Sequence, residues 1–360
     1  MERMRARVLR RRPPRPSAGL ARASAVAIVA GLAIIAVAVA SLGRARRGAR
    51  PAGRPRSEFA FEMESLLRID PALFACEETG RFEVGLDDPR ALDADETGAV
   101  WIAGDRELRA FREGRLERRI ELEGEPTCVE PSPGALYVGF RDRVEVWDAA
   151  LPERKARWES LGPKARIVSL AAGASGVYAA DAGGRVVLRY DRSGKVLGRL
   201  GERDPERGVP GLIVPSPHLD LALGRDGLLR VANTGRHRIE AYTPDGHLEV
   251  AWGESSNALE GFSGCCNPCA FAILPDGSFV TAEKGIPRVK LYDARGAFAG
   301  AVAGPESFAE GRRALREEWP SCADRALDVA VDAEGRILVL DPSARAVIRF
   351  ERREGRPKSG

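Results

Sequence analysis

Asp226-Gly227-Leu228-Leu229-Arg230-Val231-Ala232-Asn233, with Tyr242 nine residues further on, spells a turn, a strand and the aromatic end of a second strand. Outward from this stretch, one pattern recurs six times between Leu92 and Phe350: an apolar strand, a turn glycine, a second apolar strand, a polar loop, and a third strand ending in an aromatic residue. The glycines are Gly98, Gly134, Gly176, Gly227, Gly277 and Gly335; the aromatics Phe111, Trp147, Tyr190, Tyr242, Tyr292 and Phe350 follow them by 13 to 15 residues. A fixed period of a few tens of residues with several short strands per unit marks blades stacked around an axis, because no single unit can bury its own face. The second strands are nearly all apolar, as in Val100-Trp101-Ile102 and Ile337-Leu338-Val339, and so belong between neighbouring blades. The third strands alternate, as in Arg288-Val289-Lys290-Leu291-Tyr292, which predicts one face nearer water.

The stretch from Asp226 to Asn233, followed by Arg238-Ile239 and Tyr242, resembles an NHL repeat, as does Leu327-Asp328-Val329-Ala330-Val331 through Asp341 to Phe350. The resemblance is clear in the last four units and implies a six-bladed propeller used as a binding platform. A longer run, Gly264-Cys265-Cys266-Asn267-Pro268 through Asp276-Gly277-Ser278-Phe279-Val280-Thr281-Ala282-Glu283-Lys284-Gly285, resembles a motif of membrane-anchored bacterial NHL-repeat proteins.

The sixth unit has three strands, whereas others can draw a fourth from Val196 to Leu200, Leu248 to Trp252 and Phe298 to Val302. Arg81-Phe82-Glu83-Val84, just ahead of the first unit, is the natural strand to complete it and close the ring, which removes the exposed sheet edge.

Ahead of the propeller, Ala23 to Leu42 is a run of twenty uncharged residues, enough to cross a hydrocarbon core as a helix. The expected order is a basic tail at 1–22, a transmembrane helix or signal anchor at 23–42, and a linker with a short amphipathic segment at 43–80. An NHL-type propeller at 81–351 and a polar tail at 352–360 follow. In the amphipathic segment Phe61, Leu66, Leu67, Ile69 and Leu73 are spaced to lean on the propeller. The fold class is therefore all-β, a six-bladed propeller preceded by one transmembrane helix. A cleavable signal peptide ending near Ala38-Val39-Ala40 is the rival reading, and the arginines directly after it favour an anchor. Eight arginines before the run and six after it bias the N-terminus toward the cytoplasm. That places a single-pass protein in the cell membrane with an extracytoplasmic propeller; signal cleavage would make it secreted, and a reversed anchor would leave it cytosolic.

The net charge of +4 hides a partition. Residues 1–56 carry fourteen arginines and one acid, Glu2, a net of +13; the rest carries 42 basic and 51 acidic residues, a net of −9. The tail suits anionic lipid. An acidic propeller argues against nucleic acid as a partner, since phosphate neutralisation supplies most of that affinity.

Six cysteines are present. Cys265, Cys266 and Cys269 precede the first strand of blade five, and Cys322 precedes that of blade six, in equivalent loops near the mouth of the channel. One reading is a disulfide from Cys322 to Cys265 or Cys266. Another is a zinc site, with Cys266 and Cys269 at two-residue spacing and Cys265 and Cys322 completing four ligands. Ala270, not His, follows the pair, which argues against haem attachment. Cys128 reads as a small core residue, and Cys76 has no assignment.

Successive turn glycines are separated by 36, 42, 51, 50 and 58 residues, and the added length falls in the connections entering blades four, five and six. Long loops on a rigid scaffold are where binding groups gather. On the same face the loops after second strands contribute Asp181, Asn233, Arg236, His237, Glu283, Lys284, Arg288 and Asp341 as ligand-binding candidates. Asp181, Asn233, Glu283 and Asp341 recur at one position of the repeat, and so read equally as loop caps. A similarity to propellers that hydrolyse lactones implies that these four could instead hold calcium in the central channel. A three-histidine lyase would need His218, His237 and His247 together, and His247 belongs to a turn on the other face. No nucleophile elbow, phosphate loop or two-histidine metal motif occurs, so no catalytic residue is named. The expected function is a binding module for a protein, peptide or cell-envelope ligand, with no required cofactor. The alternative is a metal-dependent hydrolase or lyase at the same face.

Overall fold

The computed structural model describes residues 66–315 and 326–353. The chain divides into two units, Met1–Phe61 and Glu62–Gly360. The expected basic tail, the expected membrane span at 23–42, most of the linker, Cys322 and residues 354–360 lie outside the described residues. Among those described, no helix is long and apolar enough to cross a membrane.

Six four-stranded antiparallel sheets form a six-bladed β-propeller. Blade one is Pro89–Ala94, Val100–Gly104, Glu107–Arg112 and Arg115–Glu121; blade two is Cys128–Ser132, Ala135–Gly139, Val144–Asp148 and Arg154–Arg157. Blade three is Ile167–Gly173, Gly176–Asp181, Val186–Tyr190 and Val196–Leu200; blade four is Leu221–Leu223, Leu229–Asn233, Arg238–Tyr242 and Leu248–Trp252. Blade five is Ala270–Ile273, Phe279–Glu283, Arg288–Tyr292 and Phe298–Ala303. Blade six takes Asp328–Val331, Ile337–Asp341 and Ala346–Arg352 from the end of the chain and Cys76–Glu83 from its beginning. That N-terminal strand covers Arg81 to Glu83 of the segment expected to close the ring, stops one residue short of Val84 and starts earlier, at Cys76, which pairs with Arg352.

The period has a direct structural cause. Each repeat aromatic pairs with the first or second residue of the strand before it: Val100 with Phe111, Leu136 with Trp147, Val177 with Tyr190. Leu229 with Tyr242, Phe279 with Tyr292 and Ile337 with Phe350 complete the set. The spacing read in the sequence is thus a cross-strand register, seated where second and third strands meet. The recurrent glycines hold left-handed turns; Gly176, at φ +128, has no space for a side chain, since a Cβ there would collide with the Tyr190 carbonyl.

The second strands are buried along their length in blades one, three and five. One core cluster runs through blades one, two and three, from Trp101 and Leu108 through Tyr137 and Trp158 to Tyr190. Another joins blades five and six through Val280, Val289, Val339 and Ile348. Leu67 of the amphipathic segment is buried against Ile286 and Ala314, while Leu73 stays exposed.

One expectation is corrected. The third strand of blade five has no wet face, because Arg288 and Lys290 are as buried as the apolar residues between them. The loop entering blade five folds over them. Lys290 Nζ donates to the carbonyls of Leu259 at 3.1 Å and Gly261 at 2.5 Å, lies 3.3 Å from Glu283 Oε2, and sits 4.5 Å above the Phe262 ring. Arg288 Nε donates to Glu283 Oε2 at 2.6 Å and its other nitrogen to Ser263 Oγ at 2.9 Å. A buried charge is tolerated where it is paired and its hydrogen bonds are filled.

Candidate functional site

The first strands of all six blades line a central cavity of about 700 Å³. Its wall carries Asp93, Glu130, Asp220 and Asp328, half-buried carboxyls that meet the water-sized space of the channel but are enclosed by strand on every other side. Each reaches across a blade boundary. Asp328 accepts from Leu92 N at 2.9 Å, linking blade six to one. Glu130 accepts from Ala172 N at 2.8 Å, linking two to three. Asp220 accepts from Ser169 Oγ at 2.7 Å and Phe271 N at 2.7 Å, linking blade four to three and to five. Between blades one and two the carboxyls of Asp93 and Glu130 hydrogen-bond to each other.

Two carboxyls can bond only by sharing a proton. Burial, then the charge and hydrogen bond of Asp93, holds Glu130 well above the usual carboxylate range. Burial likewise pushes Asp93 and Asp220 up to about 6 and, with the Asp220 charge, raises Asp328 strongly. These folded-state values exceed the unfolded ones, so the stability linked to them is fully present below 3.8 and is lost as pH rises through about 6. His218 works oppositely: burial and the charges of Lys284 and Arg166 push it down to about 3, so stability linked to it falls as pH drops below 6.5. Glu130→Gln keeps the acceptor for Ala172 and gives Asp93 a permanent donor. The expected result is a gain on the order of 1 kcal/mol at neutral pH and a weaker rise in stability on acidification toward pH ~5. Urea midpoints at the two pH values check it; an unchanged pH slope would contradict the shared proton.

At the mouth, the residue closing or following the second strand reaches back to a backbone amide of the loop entering its own blade. Asp181 accepts from Arg166 N at 2.8 Å, Asn233 from Ile213 N at 3.0 Å, Glu283 from Ser263 N at 3.0 Å and Asp341 from Ala309 N at 2.7 Å. Asp105, which the sequence reading missed, does the same in blade one for Asp87 N and Asp88 N. These five side chains therefore occupy five separate blades, each bracing one loop. Arg236 donates to the carbonyls of Gly211 and Pro210, and Arg288 belongs to the buried pair with Glu283. His237, at φ +56, places its Nε2 2.8 Å from the Gly264 carbonyl.

The cysteines separate. Cys265 and Cys266 lie at the mouth with sulfurs 3.0 Å apart. Cys269 is buried, its thiol directed to the Ala282 carbonyl at 3.2 Å and the Leu327 carbonyl at 3.9 Å. Among the described residues no disulfide joins Cys265, Cys266 and Cys269 to one another. Among the described residues no three His, Cys, Asp or Glu side chains converge on a metal-sized site; Cys322, the fourth ligand of the zinc reading, lies outside them. Asp181, Glu283 and Asp341 form no such group either. Cys128 is packed in the core of blades one to three and Cys76 in that of blades five and six.

A nucleophile-rich corner forms between blades four and five. Burial pushes the Cys266 thiol up, but the nearby Ser216, Cys265 and Lys284 side chains bring it below its ordinary value, while the buried Ser216 Oγ has no hydrogen-bond partner among the described residues. Lys284 is 8% exposed, with its backbone NH bonded to Asn267 Oδ1 at 2.9 Å. His218, on the same loop as Ser216, faces the channel and has a buried Nε2 without a partner.

No protein-family model matches the chain, and no curated protein sequence matches it. Among solved structures it is similar to that of a streptogramin B lyase, with a TM-score of 0.51 and 12% identity over 77% of this chain and 97% of that one. It is also similar to a protein of unknown function from Bacteroides thetaiotaomicron VPI-5482, with a TM-score of 0.52 and 14% identity over 76% of this chain and 71% of that one. A chain of a mitotic checkpoint complex gives a TM-score of 0.52 and 12% identity over 84% and 96%. At such identities the likeness establishes the propeller fold alone.

Proposed function

We infer that this is an NHL-type binding propeller, tethered to the cell membrane by residues 23–42, that takes a protein, peptide or envelope component on the face around the channel mouth. The observation that carries the reading is the bracing of the mouth loops. Asp105, Asp181, Asn233, Glu283 and Asp341 fix the paths of loops in five blades, around a cavity of about 700 Å³. Loops held in place before binding lose little entropy on binding, which is what a recognition surface needs. The oxygen atoms that a cation-dependent hydrolase or lyase would use are committed to backbone amides of separate blades, which favours binding over that alternative. The surrounding acidic charge suits a ligand that presents basic groups.

The test is site-specific photo-crosslinking in intact cells of the native host. A photoreactive residue at Ile213 or Leu315, both exposed on mouth loops, is expected to give discrete adducts. The same residue at Val196 or Val250, exposed on the outer strands of blades three and four, is expected to give none. Adducts confined to the outer strands would overturn the reading.

A further inference from the structure

The long connection entering blade four folds into a closed loop. Leu212 N donates to the Gly201 carbonyl at 2.9 Å, and inside that closure Asp204 and Val209 exchange both backbone hydrogen bonds, at 2.9 and 2.8 Å. Val209 and Leu212 anchor the loop in the core of blades three and four. The next residue, Ile213, has its amide held by Asn233 Oδ1 and its carbonyl by Gly235 N at 2.9 Å, yet its side chain is exposed. Between this loop and the turns that follow the second strands of blades three and four lies a cleft of about 610 Å³ on the mouth face. Three arginines and one acid line it: Arg185 from the blade-three turn, Arg203 from the closed loop, Arg236 from the blade-four turn, and Glu202. Glu202 is already paired, its Oε1 accepting from Arg199 Nε at 3.0 Å, and Asp204 accepts from the amides of Glu206 and Arg207. Arg236 donates only to the Gly211 and Pro210 carbonyls, which leaves its charge without a counter-charge. Arg185 and Arg203 are exposed, and among the described residues their side chains have neither a hydrogen-bond acceptor nor a carboxylate partner. One unpaired surface arginine is unremarked chemistry. Three in one concavity repel one another, in a region, residues 57–360, whose net charge is −9. Walls of low dielectric concentrate such a field on whatever enters.

We propose that this cleft binds an acidic peptide segment, with carboxylates on Arg185 and Arg203 and a neighbouring apolar side chain against Ile213. The inference rests on the mouth as the ligand face and adds the chemistry read at one place on it. A planar guanidinium meets a carboxylate through two parallel N–H donors, so arginines held on fixed loops select acids by shape as well as charge. A peptide is favoured over a small free anion because Ile213 and Pro210 border the arginines, and an inorganic ion would leave that apolar surface in water. The ligand then carries both signs, basic groups toward the acidic surroundings of the channel and acidic ones between blades three and four. That polarity sets the direction in which it lies across the mouth.

The probe is a blocked synthetic peptide in which a photoreactive leucine is flanked on each side by two glutamates. It is irradiated with the full-length chain in detergent, and the adducts are mapped by mass spectrometry, which separates the cleft from the arginines of residues 1–56. Adducts are expected on the 201–213 segment, and a peptide with lysines in place of the glutamates is expected to leave that segment unlabelled. Arg185→Gln combined with Arg203→Gln is expected to cut the labelling about tenfold, and high salt to act in the same direction. Arg192→Gln combined with Arg225→Gln removes the same charge from exposed, unpaired arginines on turns of the opposite face, and is expected to change nothing. Circular dichroism of both double variants checks that the fold is kept. Equal losses in the two double variants, or labelling undiminished in the first, would overturn the proposal. Complete displacement by millimolar inorganic phosphate would do so too, by making this a small-anion site. In intact cells of the native host, adducts from a photoreactive residue at position 213 that persist undiminished with Arg185→Gln and Arg203→Gln would remove the acidic contact while leaving the mouth reading in place.

Discussion

Glu283→Ala is expected to cost about 3–5 kcal/mol of stability, measured as the urea or guanidinium midpoint of the propeller. The reason is the geometry behind blade five. Glu283 is fully buried, its Oε2 accepts from Arg288 and faces Lys290, and its Oε1 accepts from Ser263 N. Removing the carboxylate leaves two buried cations without their counter-charge and frees the loop that covers them. Burial already pulls Lys290 down to about 8, against the raising influence of Glu283. Its folded value lies below the unfolded 10.5, so native stability linked to Lys290 climbs as pH rises through that window. Glu283→Gln removes the charge without the shape, lets Lys290 fall further, and is expected to show a deficit that narrows as pH rises toward about 8. Lys290→Met in the Glu283→Ala background is expected to recover part of the loss. A midpoint within about 0.5 kcal/mol of wild type for Glu283→Ala would show that the cluster contributes no net stability.

A chain beginning at Val84 is expected not to yield a folded monomer, whereas one beginning at Glu62 is. The strand Cys76–Glu83 makes seven register pairs with Ala346–Arg352, from Cys76 with Arg352 to Glu83 with Ala346. It also seats Phe82 with its ring centroid 5.1 Å from that of Phe111 in blade one. Without it the last blade is left with three strands and the long strand Ala346–Arg352 as an open hydrogen-bonding edge, which invites association between chains. Size-exclusion chromatography and thermal melting of the two chains read the outcome. A synthetic peptide covering 75–84 should restore a monomer by adding the missing strand. A monomeric Val84 chain melting with the longer one would show that closure is dispensable.

The architecture was legible because it rests on a local quantity. The distance from turn glycine to aromatic is the length of one hairpin, and a hairpin register is written in consecutive residues. The closing strand was legible for a similar reason: Arg81-Phe82-Glu83-Val84 alternates, and the last repeat lacks a strand. The role of Asp181, Asn233, Glu283 and Asp341 was only half legible. Their recurrence at one position can be read, but the amide each one meets depends on the path of a loop 15 to 32 residues away in sequence.

The burial of Lys290 failed for that reason too, since the cover comes from Leu259 to Phe262 rather than from its own strand. Cys269 was read by spacing as a partner of Cys266. Being next to the first strand of blade five, it is held by backbone pairing with Ala282 and faces the core. The channel carboxyls had a signal that went unused: an acid inside an apolar run, in Leu219-Asp220-Leu221-Ala222 and again in Leu327-Asp328-Val329-Ala330. An acid placed there either serves the channel or finds a proton, and here it does both.

The shared last blade also sets a clock. Thr79 and Glu351, hydrogen-bonded at 3.1 Å, are 272 residues apart in the chain. At a synthesis rate of about 5–20 residues per second, the first strand to leave the ribosome waits on the order of tens of seconds for its partner. During that time its edge is open to any passing strand. The solvent-facing residues of Cys76–Glu83 include Glu77, Glu78, Arg81 and Glu83, a density of charge that repels mispairing while five blades assemble without it. Ring completion is therefore a late, long-range step, and the nascent propeller must remain an open crescent until its final residues emerge.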